Sequence, residues 1–190
     1  VGGGLMRRIH GYLLDHLPWD GLGSALEVGC GSGALSISAA KRFPLAEIQG
    51  IDYWPPMWNY GQPQCEANAA AEGVADRCTF QHGDAAKLDF PDNHFDAVIS
   101  NFVFHEVRTQ KDKFLLVEES LRVLKKGGAF ALHDTFGNRD MYGNMDEFVA
   151  YLQEKGIADV SYLPNTERNI PMPAPVRFMM RGIGMLYGTK

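Results

Sequence analysis

Short apolar runs alternate with stretches of helical period along most of this chain, and that alternation is its strongest constraint. Residues 25–28, 46–51, 78–82, 95–100 and 128–134 each read as a strand. Between them, residues 34–43, a stretch ending near Ala71 and residues 110–124 carry helical patterning. Strands separated by helices pair side by side in parallel, so the reading is an α/β/α sandwich, a sheet covered on both faces. An amphipathic helix comes first, with Leu5, Ile9, Leu13 and Leu17 on one face and Arg7, Arg8 and Asp15 off it. Thr109 with Asp112 reads as a capping box opening the fourth helix, and Gly127-Gly128 as its left-handed end. Beyond Asp134 the pattern loosens. Residues 137–144 read as loop, 145–155 as a helix and 160–164 as a strand; a Pro-rich segment then leads to a second strand that pairs with it.

The first strand ends in Gly29-Cys30-Gly31-Ser32-Gly33, just before a helix. In an open parallel sheet, ligands bind beyond the carboxyl ends of the strands, and glycines there let the backbone approach closely. Asp52 ends the second strand about twenty residues later, where a carboxylate can accept both hydroxyls of a ribose. Tyr53 directly follows that acid and is expected against adenine, with Trp54 turned away and Trp58 mainly packing. The bland alternative is a tight turn with a helix-capping Asp52. Loop, acid and spacing together favour an adenosine-type ligand without saying which, because Gly29, Gly31 and Ala34 also satisfy a dinucleotide pattern.

Asp84 follows the third strand at a height suited to the exocyclic amine of adenine, and Asn101 lies just past the fourth, beside the same cleft. The arrangement resembles the class I S-adenosylmethionine-dependent methyltransferases, specifically the small-molecule branch called type 11. LEVGCGSG, GID, GDA, FDAVISN and LRVLKKGGAFAL stand in the family's order and span residues 24–135. The resemblance implies a Rossmann-like, seven-stranded, mostly parallel sheet whose last strand is antiparallel. It implies that Glu27, Gly29, Cys30, Gly31 and Gly33 surround the methionine part of S-adenosylmethionine, that Asp52 binds ribose, and that Asp84 and Ala85 flank adenine. The chain then divides into a leading helix (1–23), a cofactor-binding core (24–135) and a substrate-side segment (136–190) of one domain. Two departures stand out. Ser100-Asn101-Phe102-Val103 replaces the Asn/Asp-Pro-Pro-Tyr/Phe motif of amino-group DNA and protein methyltransferases, and Pro55, Pro56 and Trp58 replace a helix-opening serine and aliphatic residues.

Composition narrows the partners. In 190 residues, 45% hydrophobic, there is room for one core, and a net charge of -5 without a dense basic run argues against duplex nucleic acid. Cys30, Cys65 and Cys78 form no CxxC pair and have no ligand spacing to histidines, so no metal site is read, and a reduced, cytoplasmic setting fits. No apolar run is long enough to span a membrane. The chain opens at Val1 without an initiator methionine, which leaves an upstream segment or anchor open. Two rival functions remain. Tyr151 and Lys155 spell the pair of a short-chain NAD(P) dehydrogenase, although the glycine loop does not fit that family; a cofactor-binding scaffold without catalysis is the other.

Methyl transfer from a sulfonium is an in-line displacement in which alignment alone can supply about 7–11 kcal/mol, so a base is optional. If the acceptor must lose a proton, the candidates are His105, Glu106, His133 and Asp134. Strand alternation aims His133 and Asp134 at opposite faces, and Asp134 is the one favoured to meet a small-molecule acceptor. His105 is either catalytic or a packed histidine at a helix start. The acceptor is expected to be read by the leading helix, residues 136–145 and the segment 164–175. Met141, Tyr142, Met172 and Met179 there are either an apolar lid or ordinary packing.

Overall fold

A computed structural model describes residues 4–54, 61–157 and 159–190. The elements run α1 (Gly4–Asp15), β1 (Gly23–Val28), α2 (Ala34–Arg42), β2 (Ala46–Asp52), α3 (Gln62–Ala71), β3 (Cys78–His82), β4 (Phe95–Asn101), α4 (Lys113–Arg122), β5 (Leu124–Asp134), α5 (Arg139–Tyr142), α6 (Met145–Glu154), β6 (Asp159–Pro164), α7 (Ala174–Met179) and β7 (Gly184–Thr189). The seven strands form one sheet in the order β3-β2-β1-β4-β5-β7-β6. β1 to β5 are parallel, and β7 lies antiparallel between β5 and β6. The chain order reverses between β1 and β4, so their carboxyl ends open a crevice where ligands bind in such sheets.

Burial on both faces follows from the strand sequences. On β4, Ala97 and Ile99 join one core cluster with Ala25, Ile48, Ala131 and Met185. Val98, between them, joins the other with Leu26, Val28, Phe130 and Leu132. Alternate side chains therefore feed two cores, as a sheet with helices on both sides demands.

The structure corrects four local expectations. Asp112, not Thr109, caps α4, its side chain accepting from the Phe114 N–H at 3.0 Å. Gly127-Gly128 does not end that helix. α4 stops at Arg122, whose guanidinium donates to Glu119, Asp92 and the carbonyls of Leu88 and Phe90, and the buried Val123 and Leu124 then turn into β5. Gly127, at φ 76°, instead sits in an irregularity of β5, where Phe95 pairs with Leu124 and Ala97 with Ala129. Residues 137–144 are not all loop, because Asn138 caps the short α5 by accepting from the Asp140 N–H. The Pro-rich segment likewise ends in a helix, α7, which buries none of its own residues. Among the described residues, no helix is long and apolar enough to cross a membrane.

Candidate active site

The first loop is shaped by backbone demands. The N–H groups of Gly29 and Cys30 both donate to the Ile51 carbonyl, at 2.8 and 2.9 Å, which ties the end of β1 to β2. Gly29 has φ 76°, and a Cβ there would stand 2.2 Å from a Val103 methyl, so no side chain fits between loop and wall. Gly33, at φ 80°, opens α2.

Asp52 belongs to the loop as much as to any ligand. One carboxylate oxygen accepts from the Gly31 N–H at 2.8 Å and the other from the Trp54 N–H at 2.9 Å. Each oxygen keeps a further lone pair for a ligand hydroxyl. Trp54 has φ 38° and folds back, its indole N–H donating to the Gly31 carbonyl at 2.8 Å. Tyr53 is 56% exposed on the open side with its ring centroid 5.1 Å from that of His82. The expectation for Trp58 lies outside the described residues.

Glu27 is buried at the cleft floor and accepts from both the backbone N–H (2.7 Å) and the hydroxyl of Ser36. Burial pushes its carboxyl up to about 8 against the pull of those two bonds, with the nearby Asp52 charge adding to the rise. The Cys30 thiol is held well above the ordinary thiol range by its hydrogen bond with Cys65 and by burial, which makes it unreactive. Asp84 accepts from the Ala86 N–H at 2.8 Å and so fixes the turn that carries Ala85.

These elements enclose one cleft of about 660 Å3. All the cofactor candidates reach it except Gly33: Glu27, Gly29, Cys30, Gly31, Asp52, Tyr53, Asp84, Ala85 and Asn101. The opposite wall brings in side chains that the motifs did not mark. Met6 and His10 come from α1; Phe102, Val103, Glu106 and Val107 come from the turn after β4. His10 is 5% exposed and accepts or donates no hydrogen bond among the described residues. Burial pushes its imidazole down to about 4, so it is neutral with a free lone pair at neutral pH.

Asp134 and His105 do not line this cleft. Asp134 is fully buried beneath it. One of its oxygens accepts from the N–H groups of Val103 (3.0 Å) and Phe104 (2.8 Å), and the other from His105 Nδ1 (2.7 Å) and the Thr135 N–H (2.6 Å). Burial alone would raise its pKa, but the bond from His105 and its other partners outweigh burial and hold it below the ordinary carboxylate value. The same bond raises His105 against the opposing effect of its burial. His105 reaches the cleft only through Glu106, whose carboxylate lies 3.3 Å from His105 Nε2. His133 is equally hidden, held between Asn101 Oδ1 at 3.0 Å and Thr166 Oγ1 at 2.7 Å, and burial pushes it down to about 4. None of Met141, Tyr142, Met172 and Met179 lines the cleft. Tyr142 and Met172 are buried in separate clusters, Met141 packs against the first of these, and Met179 is 83% exposed. Tyr151 lies on α6 and Lys155 caps its C-terminus, the ammonium 5.3 Å from the ring centroid, and neither lines the cleft.

A sheet in this order, with a glycine loop after β1 and acids at the ends of β2 and β3 facing one crevice, defines a class I S-adenosylmethionine-dependent methyltransferase. The family profile described as "Methyltransferase domain" matches residues 26–132. The demethylmenaquinone methyltransferase of Thermus thermophilus is 30% identical over 168 residues, covering 84% of this chain and 72% of that protein. Its counterpart from Bacillus licheniformis is 29% identical over 158 residues, covering 78% and 64%. The chain thus spans about two thirds of the length of these curated relatives. In fold it is similar to the phosphoethanolamine N-methyltransferase 2 of Haemonchus contortus in complex with S-adenosyl-L-methionine, with a TM-score of 0.72, 18% identity, and coverage of 96% of this chain and 52% of that one. The chain belongs to this methyltransferase family.

Proposed function

We propose that this methyltransferase acts on a small, largely apolar aromatic acceptor bearing an acidic hydroxyl, a reduced form of the kind of quinone that its relatives' name, demethylmenaquinone methyltransferase, contains. The observation that carries the reading is the lining drawn from α1 and the turn after β4, where Met6, Phe102, Val103 and Val107 give apolar surface beside the neutral His10, with Glu106, Arg108 and Thr109 as its polar members. Such a pocket suits a flat apolar ring with one oriented polar group. Three free cysteines fit a reducing, cytoplasmic setting.

The rest of the lining fits the cofactor. Glu27 is a nearly fully buried acid with no cationic partner among the described residues, so a cationic ligand supplies what it lacks. Asp52 has lone pairs left for ribose hydroxyls, Asp84 for an adenine amine, and Tyr53 with Ala85 offers flat walls to the base. S-Adenosylmethionine held by these residues would supply a methyl group on a sulfonium for in-line transfer to the acceptor. His10 takes the hydroxyl proton as the acceptor carbon attacks. Once the methylated carbon has lost its own hydrogen to solvent, His10 returns the proton to the oxygen, so each turnover releases one proton. The apolar wall keeps water from competing, and the turn after β4, pinned by Asp134, holds Val103 against Gly29.

Incubation with methyl-labelled S-adenosylmethionine and a panel of acceptors tests this reading. The panel holds a short-chain demethylated naphthoquinol, simple phenols, primary amines and duplex DNA. Label is expected in the quinol and phenols; label only in amines or DNA contradicts the reading.

A further inference from the structure

We propose that the face formed by α7, the start of α1 and the 3-10 turn at Thr166–Arg168 docks on an anionic lipid surface. This goes beyond the acceptor reading and does not depend on it. α7 buries none of its residues, and its Phe178 and Met179 are 71% and 83% exposed. The helix is nonetheless anchored. Val176 and Met180 pack with Leu5 and Tyr12 of α1 against Ile9, Ile170 and Met172, and Asn169 Nδ2 donates to the Tyr12 hydroxyl at 3.1 Å. Two large apolar side chains are thus held outward on a fixed support.

Their surroundings are basic although the chain as a whole carries -5. Arg177 lies on α7 and Arg181 just past it, Arg8 on α1 and Arg168 on the 3-10 turn; all four are exposed, and the ion pairs among the described residues involve none of them. Residues 169–190 contain no Asp or Glu, nor do residues 1–14. Arg181 lies 6.0 Å from the Phe178 ring centroid, so charge and apolar tip share one patch. Apolar side chains rimmed by arginines match the boundary of a bilayer, where the tips enter the acyl region and the guanidinium groups meet anionic headgroups. A second copy docked through the same patch would set these arginines against their own equivalents. Met6 and Phe102 pack against the same cluster and line the cleft, so the docked face adjoins the cleft.

Flotation of the full chain with vesicles tests the proposal. One set is phosphatidylcholine alone and the other contains an equal part of phosphatidylglycerol. Binding is expected to the anionic vesicles only and to weaken as salt is raised. The double variants Phe178→Ser/Met179→Ser and Arg177→Glu/Arg181→Glu should each lower partitioning by roughly tenfold, with affinity for S-adenosylhomocysteine kept as the check on folding. Wild type that floats with neither vesicle, or equally with both, overturns the proposal. So does a dimer by light scattering that Phe178→Ser/Met179→Ser abolishes, which would make a second copy the occupant.

Discussion

Replacing Asp134 by alanine is expected to cost about 3–5 kcal/mol of stability, the range for removing one partner of a buried charged network. The carboxylate is fully buried and accepts from three backbone N–H groups and the His105 ring. Without it, the N–H groups of Val103 and Phe104 lose their acceptor and the turn that walls the cleft loses its anchor. The sign of the pH dependence follows from the two shifts. Asp134 sits below its ordinary value, so its contribution is present above that value and fades as pH falls through the depressed one. His105 sits above its ordinary value, so its contribution is present at lower pH and fades as pH rises through the raised one. Urea unfolding across neutral pH should therefore show the alanine variant both weaker and flatter than the wild type. An unchanged midpoint would mean that the turn is held by packing alone.

His10→Ala is expected to lower kcat/KM by about 10²-fold, the low end for losing an acid–base group, because a base this weak accepts a proton reluctantly. Affinity for S-adenosylhomocysteine should hold, since the proposed function gives His10 to the acceptor and not to the cofactor. The pH profile separates this from a packing defect. With an imidazole near 4, and with S-adenosylmethionine saturating so that Glu27 is already ionised, wild-type kcat/KM for the acceptor should stay level from neutral pH down to about 5. A limb near 6.5 would assign the proton to another histidine.

Both predictions rest on residues that the chain's patterning disclosed unequally. The strands, the glycine loop after β1 and the acids at the ends of β2 and β3 were legible because each depends on short-range chemistry: alternating burial, positive φ and a fixed spacing from loop to acid. Nine of the ten cofactor candidates consequently line one cleft. The residues at the end of β5 were not legible in that way. Alternation distinguishes two faces of a strand, but β5 lies inside a sheet covered on both sides, so His133 and Asp134 are both hidden. His10 gave only a faint sign, a polar ring one turn after Met6 on a helix face otherwise filled by Leu13 and Leu14. Its role depends on which element α1 packs against, and that is tertiary. The exposed face of α7 is tertiary too, because two prolines and five apolar residues within Pro173 to Met180 read equally well as buried loop.

The proposed function depends first on a cationic adenosine ligand whose charge meets Glu27 in the cleft. Titration calorimetry at pH 7 tests it, with S-adenosylmethionine and NAD each run in two buffers of different ionisation heat. The account predicts one site for S-adenosylmethionine and about one proton released on binding, because a carboxyl near 8 must ionise to face the cation. It predicts no comparable heat with NAD. Preferential binding of NAD, or binding of S-adenosylmethionine with no proton released, would contradict it.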